Sequence, residues 1–182
     1  MEFEQKGWGL FSQSDAASNK LLSVKRKIYG HVQMKEPILT YIKATMTDID
    51  YLLWLREETM TDHLVNSGLK ATKESHLQRI MYQFEHAKII TLGSQKVGLL
   101  KAIEHPDKLE IIQIQIDPKH QGKGIGRKVI GSIIEDAFSK NLNVTLSVLK
   151  ENKAKNLYQR LGFKIAEENS HSLIMEATST LA

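Results

Sequence analysis

The sequence predicts a mixed α/β fold, built on one mostly antiparallel sheet of six to seven strands with helices on both faces. Segments with an apolar residue at every second position alternate with segments whose apolar residues recur at helical spacing. The turns between the middle strands are too short for crossovers, so these strands pair antiparallel. One strand–helix–strand unit, residues 109–148, requires a right-handed parallel crossover, which makes the sheet mixed.

The chain from residue 38 to residue 116 predicts a strand, two helices and three further strands. Thr47 or Asp48 is placed to cap the first helix, and Thr72 is placed to cap the second. A tight turn after Gly93 joins the next two strands as a hairpin, and a Pro-Asp-Lys turn leads to the strand that follows. In chain order, these elements cover 38–44, 47–64, 72–86, 87–93, 95–105 and 109–116.

The chain beyond residue 116 predicts a helix, a strand, a second helix and a closing hairpin. Apolar residues from Ile125 to Phe138 recur at helical spacing, as do Ala154, Leu157 and Leu161. Gly162 stands where a helix C-terminal cap belongs. In chain order, these elements cover 124–140, 143–149, 152–161, 163–168 and 172–177.

The composition is that of one folded domain without disulfides. The 182 residues are 41% hydrophobic and 25% charged, and the net charge of +4 suits a polyanionic ligand. The absence of cysteine excludes disulfides, thiolate-bound zinc and a cysteine nucleophile, and it fits a cytoplasmic protein. We expect no transmembrane helix, because no apolar run reaches about 18 residues. The first ten residues, MEFEQKGWGL, carry acids where a signal peptide carries cations.

A glycine-rich loop in IQIDPKHQGKGIGRKVI, residues 114–130, predicts an anion site. Its three glycines remove side chains from a turn between a strand and a helix, so a ligand can approach the backbone closely. The helix that follows directs its unpaired N–H groups at that point, which is best suited to phosphates. Four cations flank the loop: Lys119, Lys123, Arg127 and Lys128. Neither the Walker pattern nor the dinucleotide-binding pattern is met.

Two motifs resemble those of the GNAT superfamily of acetyl-coenzyme A-dependent N-acetyltransferases. QGKGIG at 121–126 is similar to the family's Q/R-x-x-G-x-G/A loop, and NKAKNLYQRLGF at 152–163 is similar to its N-x-A-x-x-L-Y-x-x-L-G-F segment. The resemblance covers 38–176 and implies a single N-acetyltransferase domain there. Residues 1–37 are then an N-terminal extension outside the resemblance, and residues 177–182 are a C-terminal tail.

The resemblance implies acetyl-coenzyme A as cosubstrate and a V-shaped splay between the fourth and fifth strands that admits its pantetheine arm. Loop amides then hold the pyrophosphate, strand backbone pairs with the pantetheine arm, and one strand amide polarises the thioester carbonyl. The residues implied to bind the cofactor are Ile114, Gln115, Ile116, Gln121, Gly122, Lys123, Gly124, Ile125, Gly126, Arg127 and Asn152. Asn152 also suits a simple helix N-cap.

Two catalytic residues follow from the same resemblance. Tyr158 is implied to be the general acid that protonates the departing sulfur, although its helical position also suits a core tyrosine. Glu110 stands eleven residues before Gln121, where a branch of the family that acetylates protein lysines carries a catalytic glutamate. Glu104, His105 and a water chain are the alternatives for the base. Without cysteine, direct attack by the amine in a ternary complex is the simplest route.

The acceptor amine is left open by the sequence: a small molecule, a peptide or protein, or aminoacyl-tRNA. Acidic residues that could attract a cationic amine are Asp48, Asp50, Glu57, Glu58 and Asp62. We expect no metal, because His63, His76 and His86 lack a metal-binding spacing. Two other functions stay open: a catalytically silent module that binds acetyl-coenzyme A, and an RNA-binding protein that uses the basic segment 20–30. Homodimers are frequent in the family, which is an analogy only.

Overall fold

The computed structural model describes residues 38–179, which form a seven-stranded mixed sheet. The spatial order is β1-β2-β3-β4-β5-β7-β6, and every neighbouring pair is antiparallel except β4–β5. The strands are β1 Leu39–Lys43, β2 Ala87–Leu92, β3 Gln95–Glu104, β4 Lys108–Ile116, β5 Asn143–Leu149, β6 Lys164–Glu168 and β7 Ser172–Ala177. The helices are α1 Ile49–Asn66, α2 Lys73–Met81, α3 Ile125–Ser139 and α4 Lys155–Arg160. The predicted fold class and order of elements are confirmed.

Two predicted helices are shorter than expected, and local backbone conformation explains both. The second helix was predicted to reach residue 86, but α2 ends at Met81 because Tyr82 is extended and Gln83 has a φ of 54°. The helix predicted from residue 152 begins at Lys155, because the Asn152 side chain accepts a hydrogen bond from the Ala154 N–H at 2.9 Å and forms a turn. The Thr72 cap is confirmed by a 3.2 Å bond from the Ser75 N–H.

Helices cover both faces of the sheet, and each face has its own apolar cluster. On one face, α1 and α2 pack Leu52, Leu55 and Ile80 against β2 and β3. On the other face, α3 packs Val129 and Ile130 against β4, β5 and β7. The central strands β2 and β3 therefore bury residues on both sides.

A bulge in β4 changes which side chains face α1. Lys101 pairs with Gln113 while Ala102 pairs with Ile111, so Ile112 is an extra residue in the strand. Ile111 packs in the cluster beneath α3, whereas Gln115 donates a hydrogen bond to Thr59 Oγ1 on α1. The bulge therefore carries two polar side chains of β4 to the α1 face.

The parallel β4–β5 ladder stops before either strand ends. Register pairs run from Lys108 and Asn143 to Ile111 and Leu146, while β4 continues to Ile116 and β5 to Leu149. Beyond the last pair the strands separate, which confirms the predicted splay between the fourth and fifth strands.

The predicted N-terminal extension, with its basic segment at 20–30, lies outside the described residues. Within 38–179, none of the helices has both the length and the apolar content needed to cross a membrane.

Gly98 provides a test of the β3–β4 packing beside the splay. A Cβ built at Gly98 would stand 2.3 Å from the Gln115 carbonyl oxygen, so we expect Gly98→Ala to lower the free energy of unfolding by about 1–3 kcal/mol. Gly131→Ala is the matched control, because a Cβ there meets nothing within 4 Å inside α3 and should stabilise by about 0.5–1 kcal/mol. Urea unfolding measures both variants, and equal stabilities would contradict the close approach.

Candidate functional site

The glycine loop connects the end of β4 to the start of α3. The Asp117 side chain accepts a 2.9 Å hydrogen bond from the Lys119 N–H and holds a short 3₁₀ turn. The side-chain amide of Gln121 then donates a hydrogen bond to the Ile116 carbonyl at 2.9 Å, which connects the loop back to the strand. Gly124 caps α3 with a φ of 77°, a left-handed conformation that favours glycine. The first N–H groups of α3 consequently open onto the loop.

A cavity of about 610 Å³, here the glycine-loop cavity, lies between this loop, α4 and α1. All the predicted cofactor-binding residues line it except Lys123. Its cationic side chains include Arg127, Lys153 and Arg160, and none of its lining residues is an aspartate or a glutamate. The cavity is therefore electropositive and opens onto a helix N-terminus, as an anion site requires.

A second cavity of about 320 Å³, here the splay cavity, lies where β4 and β5 separate. It is lined by α1, α2, β4 from Ile111 to Gln115, β5 from Leu146 to Leu149, and Ser172 of β7. The two cavities share Met60, Ile114, Gln115, Asn152 and Tyr158. A molecule held in the glycine-loop cavity can thus meet one held in the splay cavity at the diverging strands.

Tyr158 lies on α4 at the junction of the two cavities. Its side chain is 7% exposed and packs on Phe163, with ring centroids 5.9 Å apart. Burial raises the pKa of Tyr158 to about 12, because desolvation disfavours the phenolate. At neutral pH the hydroxyl is therefore protonated and can act as a hydrogen-bond donor.

The candidate bases lie closer to the paired end of β4. Glu110 pairs with Thr145 of β5, and its Oε2 is 3.2 Å from His105 Nε2. Neither of these two side chains lines a cavity. Glu110 is on the α1 face, opposite Leu109 and Ile111, whose side chains pack beneath α3. Glu104 pairs with Lys140 at 2.7 Å, away from both cavities.

The acidic residues suggested for the acceptor site do not line either cavity. Asp48 instead pairs with Lys96 at 2.6 Å, and this cation and hydrogen bonds from Thr45 lower the pKa of its carboxyl despite partial burial. No group of three or more histidine and acidic side chains within residues 38–179 is arranged to bind a metal.

Sequence reasoning missed two arginines that line the splay cavity. Arg56 on α1 is 7% exposed, and Arg79 on α2 donates to the Ile112 carbonyl at 2.7 Å. Both lie on the buried side of their helix. A charged residue among apolar neighbours was therefore the sequence signal that could have identified them. Gln113 and Gln115 of β4 lie beside them, each buried and hydrogen-bonded to the other.

Lys101 adds a third cation behind the two arginines. It is fully buried, and its ammonium donates to the carbonyls of Arg79, Ile80 and Tyr82 at 3.3, 2.9 and 2.6 Å. These carbonyls end α2, so Lys101 neutralises the negative end of that helix. Burial, together with Arg79 and Arg56, lowers the pKa of Lys101 to about 8.

Residues 51–163 match the model of the acetyltransferase (GNAT) family. A spermidine N(1)-acetyltransferase of Escherichia coli K12 is 32% identical over 98 residues, which cover 51% of this chain and 53% of that protein. The chain thus aligns with about half the length of the curated relatives it matches.

Solved structures share the fold. A PaiA N-acetyltransferase from Thermoplasma acidophilum, in complex with coenzyme A, matches with a TM-score of 0.59 at 18% identity, over 78% of this chain and 99% of that one. The ribosomal-protein-S18-alanine N-acetyltransferase of Escherichia coli matches with a TM-score of 0.58 at 18% identity, over 80% and 96%.

Proposed function

The chain belongs to the acetyltransferase (GNAT) family, and on this premise we propose that it transfers the acetyl group of acetyl-coenzyme A to a primary amine. The observation that carries the proposal is the splay of β4 from β5 beside an electropositive cavity at the N-terminus of α3. We propose that both substrates are bound together and that the amine attacks directly.

The residues of the glycine-loop cavity fit the diphosphate of coenzyme A. A Cβ added at Gly122 or Gly124 would meet nothing within 4 Å, so the loop leaves open space over its backbone. The N–H groups of α3 would bind the diphosphate there, and Arg127 adds positive charge from the same helix. The cavity has cationic side chains and no carboxylates, so a polyanionic cofactor would neutralise its positive charge.

The main chain of β4 from Ile114 to Ile116 would bind the pantetheine arm. These residues line the glycine-loop cavity and have no β5 partner in the ladder, so their outward backbone groups, apart from the Ile116 carbonyl that accepts from Gln121, are available to an added strand. Acetyl-coenzyme A supplies an acetyl thioester, whose carbon–sulfur bond breaks as the new carbon–nitrogen bond forms. A β4 amide in this segment would donate to the acetyl oxygen as negative charge develops on it.

Tyr158 and Glu110 are the proposed acid and base. Tyr158 lines both cavities and stays protonated, so it can donate its hydroxyl proton to the departing sulfur. The low-polarity setting that raises the pKa of Tyr158 also makes a thiolate beside it a stronger base, which favours this transfer. Glu110, beside His105, would accept the amine proton through water, because neither side chain lines a cavity.

Gly124→Glu should abolish stabilisation by acetyl-coenzyme A, because the new carboxylate would occupy the phosphate position. Gly124→Ala is the matched control: both variants carry the strain of a side chain at a φ of 77°, about 1–2 kcal/mol, but only one adds negative charge. Cofactor at a hundred times its Kd should stabilise the wild-type protein by about 2.7 kcal/mol. If thermal unfolding shows equal shifts for the two variants, the loop does not hold the diphosphate.

Tyr158→Phe should lower kcat for thiol release by about 10²-fold while leaving the melting temperature nearly unchanged, since the ring contact with Phe163 remains. Because the pKa of Tyr158 is about 12, wild-type kcat should show no loss from its ionisation up to about pH 10. Thiol release from acetyl-coenzyme A with a panel of amines measures both the kcat of the variant and the pH dependence of the wild-type kcat. A decrease below threefold would remove Tyr158 as the acid, and cofactor binding without release on any amine would favour a silent binding module.

Glu110→Gln should lower kcat/KM at pH 7 by about 10²-fold through loss of the proton acceptor. The deficit should shrink as the pH rises toward the amine pKa of about 10, because the neutral amine then forms without a base. Glu104→Gln is the control, since Glu104 is paired with Lys140 outside both cavities. A small decrease in kcat/KM that does not change with pH would indicate that solvent water, and not Glu110, accepts the amine proton.

A further inference from the structure

The splay cavity contains a buried cation whose charge no carboxylate among its described lining residues balances. Arg56 is 7% exposed, and its Nε has no hydrogen-bond partner among the described residues. Burial, together with the charge of nearby Arg79, lowers the pKa of Arg56 to about 10, so the Arg56 guanidinium stays positive at neutral pH. A buried charge with a like charge beside it destabilises a fold unless an opposite charge joins them.

No residue that lines the splay cavity is an aspartate or a glutamate. Two carboxylates act on neighbours of these arginines: Glu57 acts on His76, and Glu85 acts on Lys101. Both are exposed, and neither lines the cavity. Residues 38–179 therefore supply no counter-charge for Arg56 and Arg79 in the lining of this cavity.

The two neighbouring cations, Lys101 and Arg79, have structural partners, which separates them from Arg56. Lys101 binds three carbonyls at the end of α2, and Arg79 binds the Ile112 carbonyl and stacks on Tyr82 at 5.4 Å. Gln113 donates to Gln115, yet Gln113 Oε1 is buried and has no partner within 38–179. Among the residues that line the splay cavity, Arg56 Nε and Gln113 Oε1 are thus buried without a partner; His76 Nδ1, outside the lining, is also unpaired within 38–179.

We propose that the acceptor is a small primary amine that also carries a carboxylate or phosphate group, which Arg56 and Arg79 bind in the splay cavity. This inference rests on the proposed acetyl transfer and assigns the substrate class of that site. Guanidinium groups bind both anions through paired N–H donors. A polyamine fits poorly, because its charges would face two arginines and no carboxylate. We therefore do not expect spermidine, which appears in the name of the relative that aligns over about half its length, to be the acceptor of this chain.

The first test compares acceptors on the wild-type protein. Matched pairs are an amino acid with its amide, and O-phosphoethanolamine with ethanolamine, beside spermidine as the polycation. We expect kcat/KM to be at least tenfold higher for the anionic member, and the pair with the larger ratio identifies carboxylate or phosphate as the ligand. A preference for spermidine or for the neutral members would overturn the proposal.

The second test uses variants of Arg56. Arg56→Met should raise KM for the anionic amine at least tenfold with little change in kcat or in KM for acetyl-coenzyme A, and Arg56→Lys should lose less. The melting temperature of Arg56→Met should equal or exceed that of the wild type, because a buried unpaired charge is removed. Lys73→Met, which removes an exposed charge from α2, should change neither property. An unchanged KM in Arg56→Met, or an equal rise for neutral amines, would overturn the proposal.

The third test does not require an acceptor. With the protein saturated by coenzyme A, inorganic phosphate and acetate are each added at constant ionic strength. At least one should raise the melting temperature of the wild type but not of Arg56→Met; no shift with either anion would overturn the proposal. Failure of coenzyme A itself to stabilise the protein would instead contradict the proposed acetyl transfer.

Discussion

The early end of the parallel β4–β5 ladder is the constraint on which the site depends. In a continuous sheet, the backbone of β4 would pair on both sides. Pairing with β5 stops at Ile111 and Leu146, although both strands continue, and two cavities open at the divergence. Helices α1 and α4 contribute to both cavities, while α3 lines the glycine-loop cavity. The same break in pairing therefore provides backbone groups for one ligand and side chains for a second ligand beside it.

Charge is distributed unevenly around this cleft. Three lysines outside it are paired with carboxylates: Lys96 with Asp48, Lys140 with Glu104 and Lys150 with Glu168. Inside it, the lining residues of both cavities include arginines and no carboxylates. The phosphates of the proposed cofactor account for the cations of the glycine-loop cavity. These phosphates do not account for Arg56, which lines the splay cavity and whose Nε has no hydrogen-bond partner among the described residues. We infer that two anionic ligands complete the electrostatics of the folded domain.

Alternation and helical spacing predicted every strand and α-helix described here, including β6, although β6 is exposed along its length. The helix ends at Met81 and Lys155 were missed because they depend on one left-handed residue, Gln83, and one side-chain turn, Asn152. Motif residues of the glycine loop were predicted because glycines before a helix have few other uses. Arg56 and Arg79 were missed because periodicity assigns a residue to a buried face without indicating that a cavity lies there. The acidic residues of α1 were suggested for the acceptor site on charge alone, and they do not line either cavity.

Amide hydrogen exchange with and without coenzyme A tests most directly the claim that a ligand completes the splayed sheet. If the pantetheine arm pairs with β4, amides between Ile112 and Ile116 should exchange more slowly in the complex, together with those at the start of α3. Amides from Lys108 to Ile111, already paired with β5, should change little. Protection confined to the glycine loop, with unchanged exchange beyond Ile111, would contradict the account.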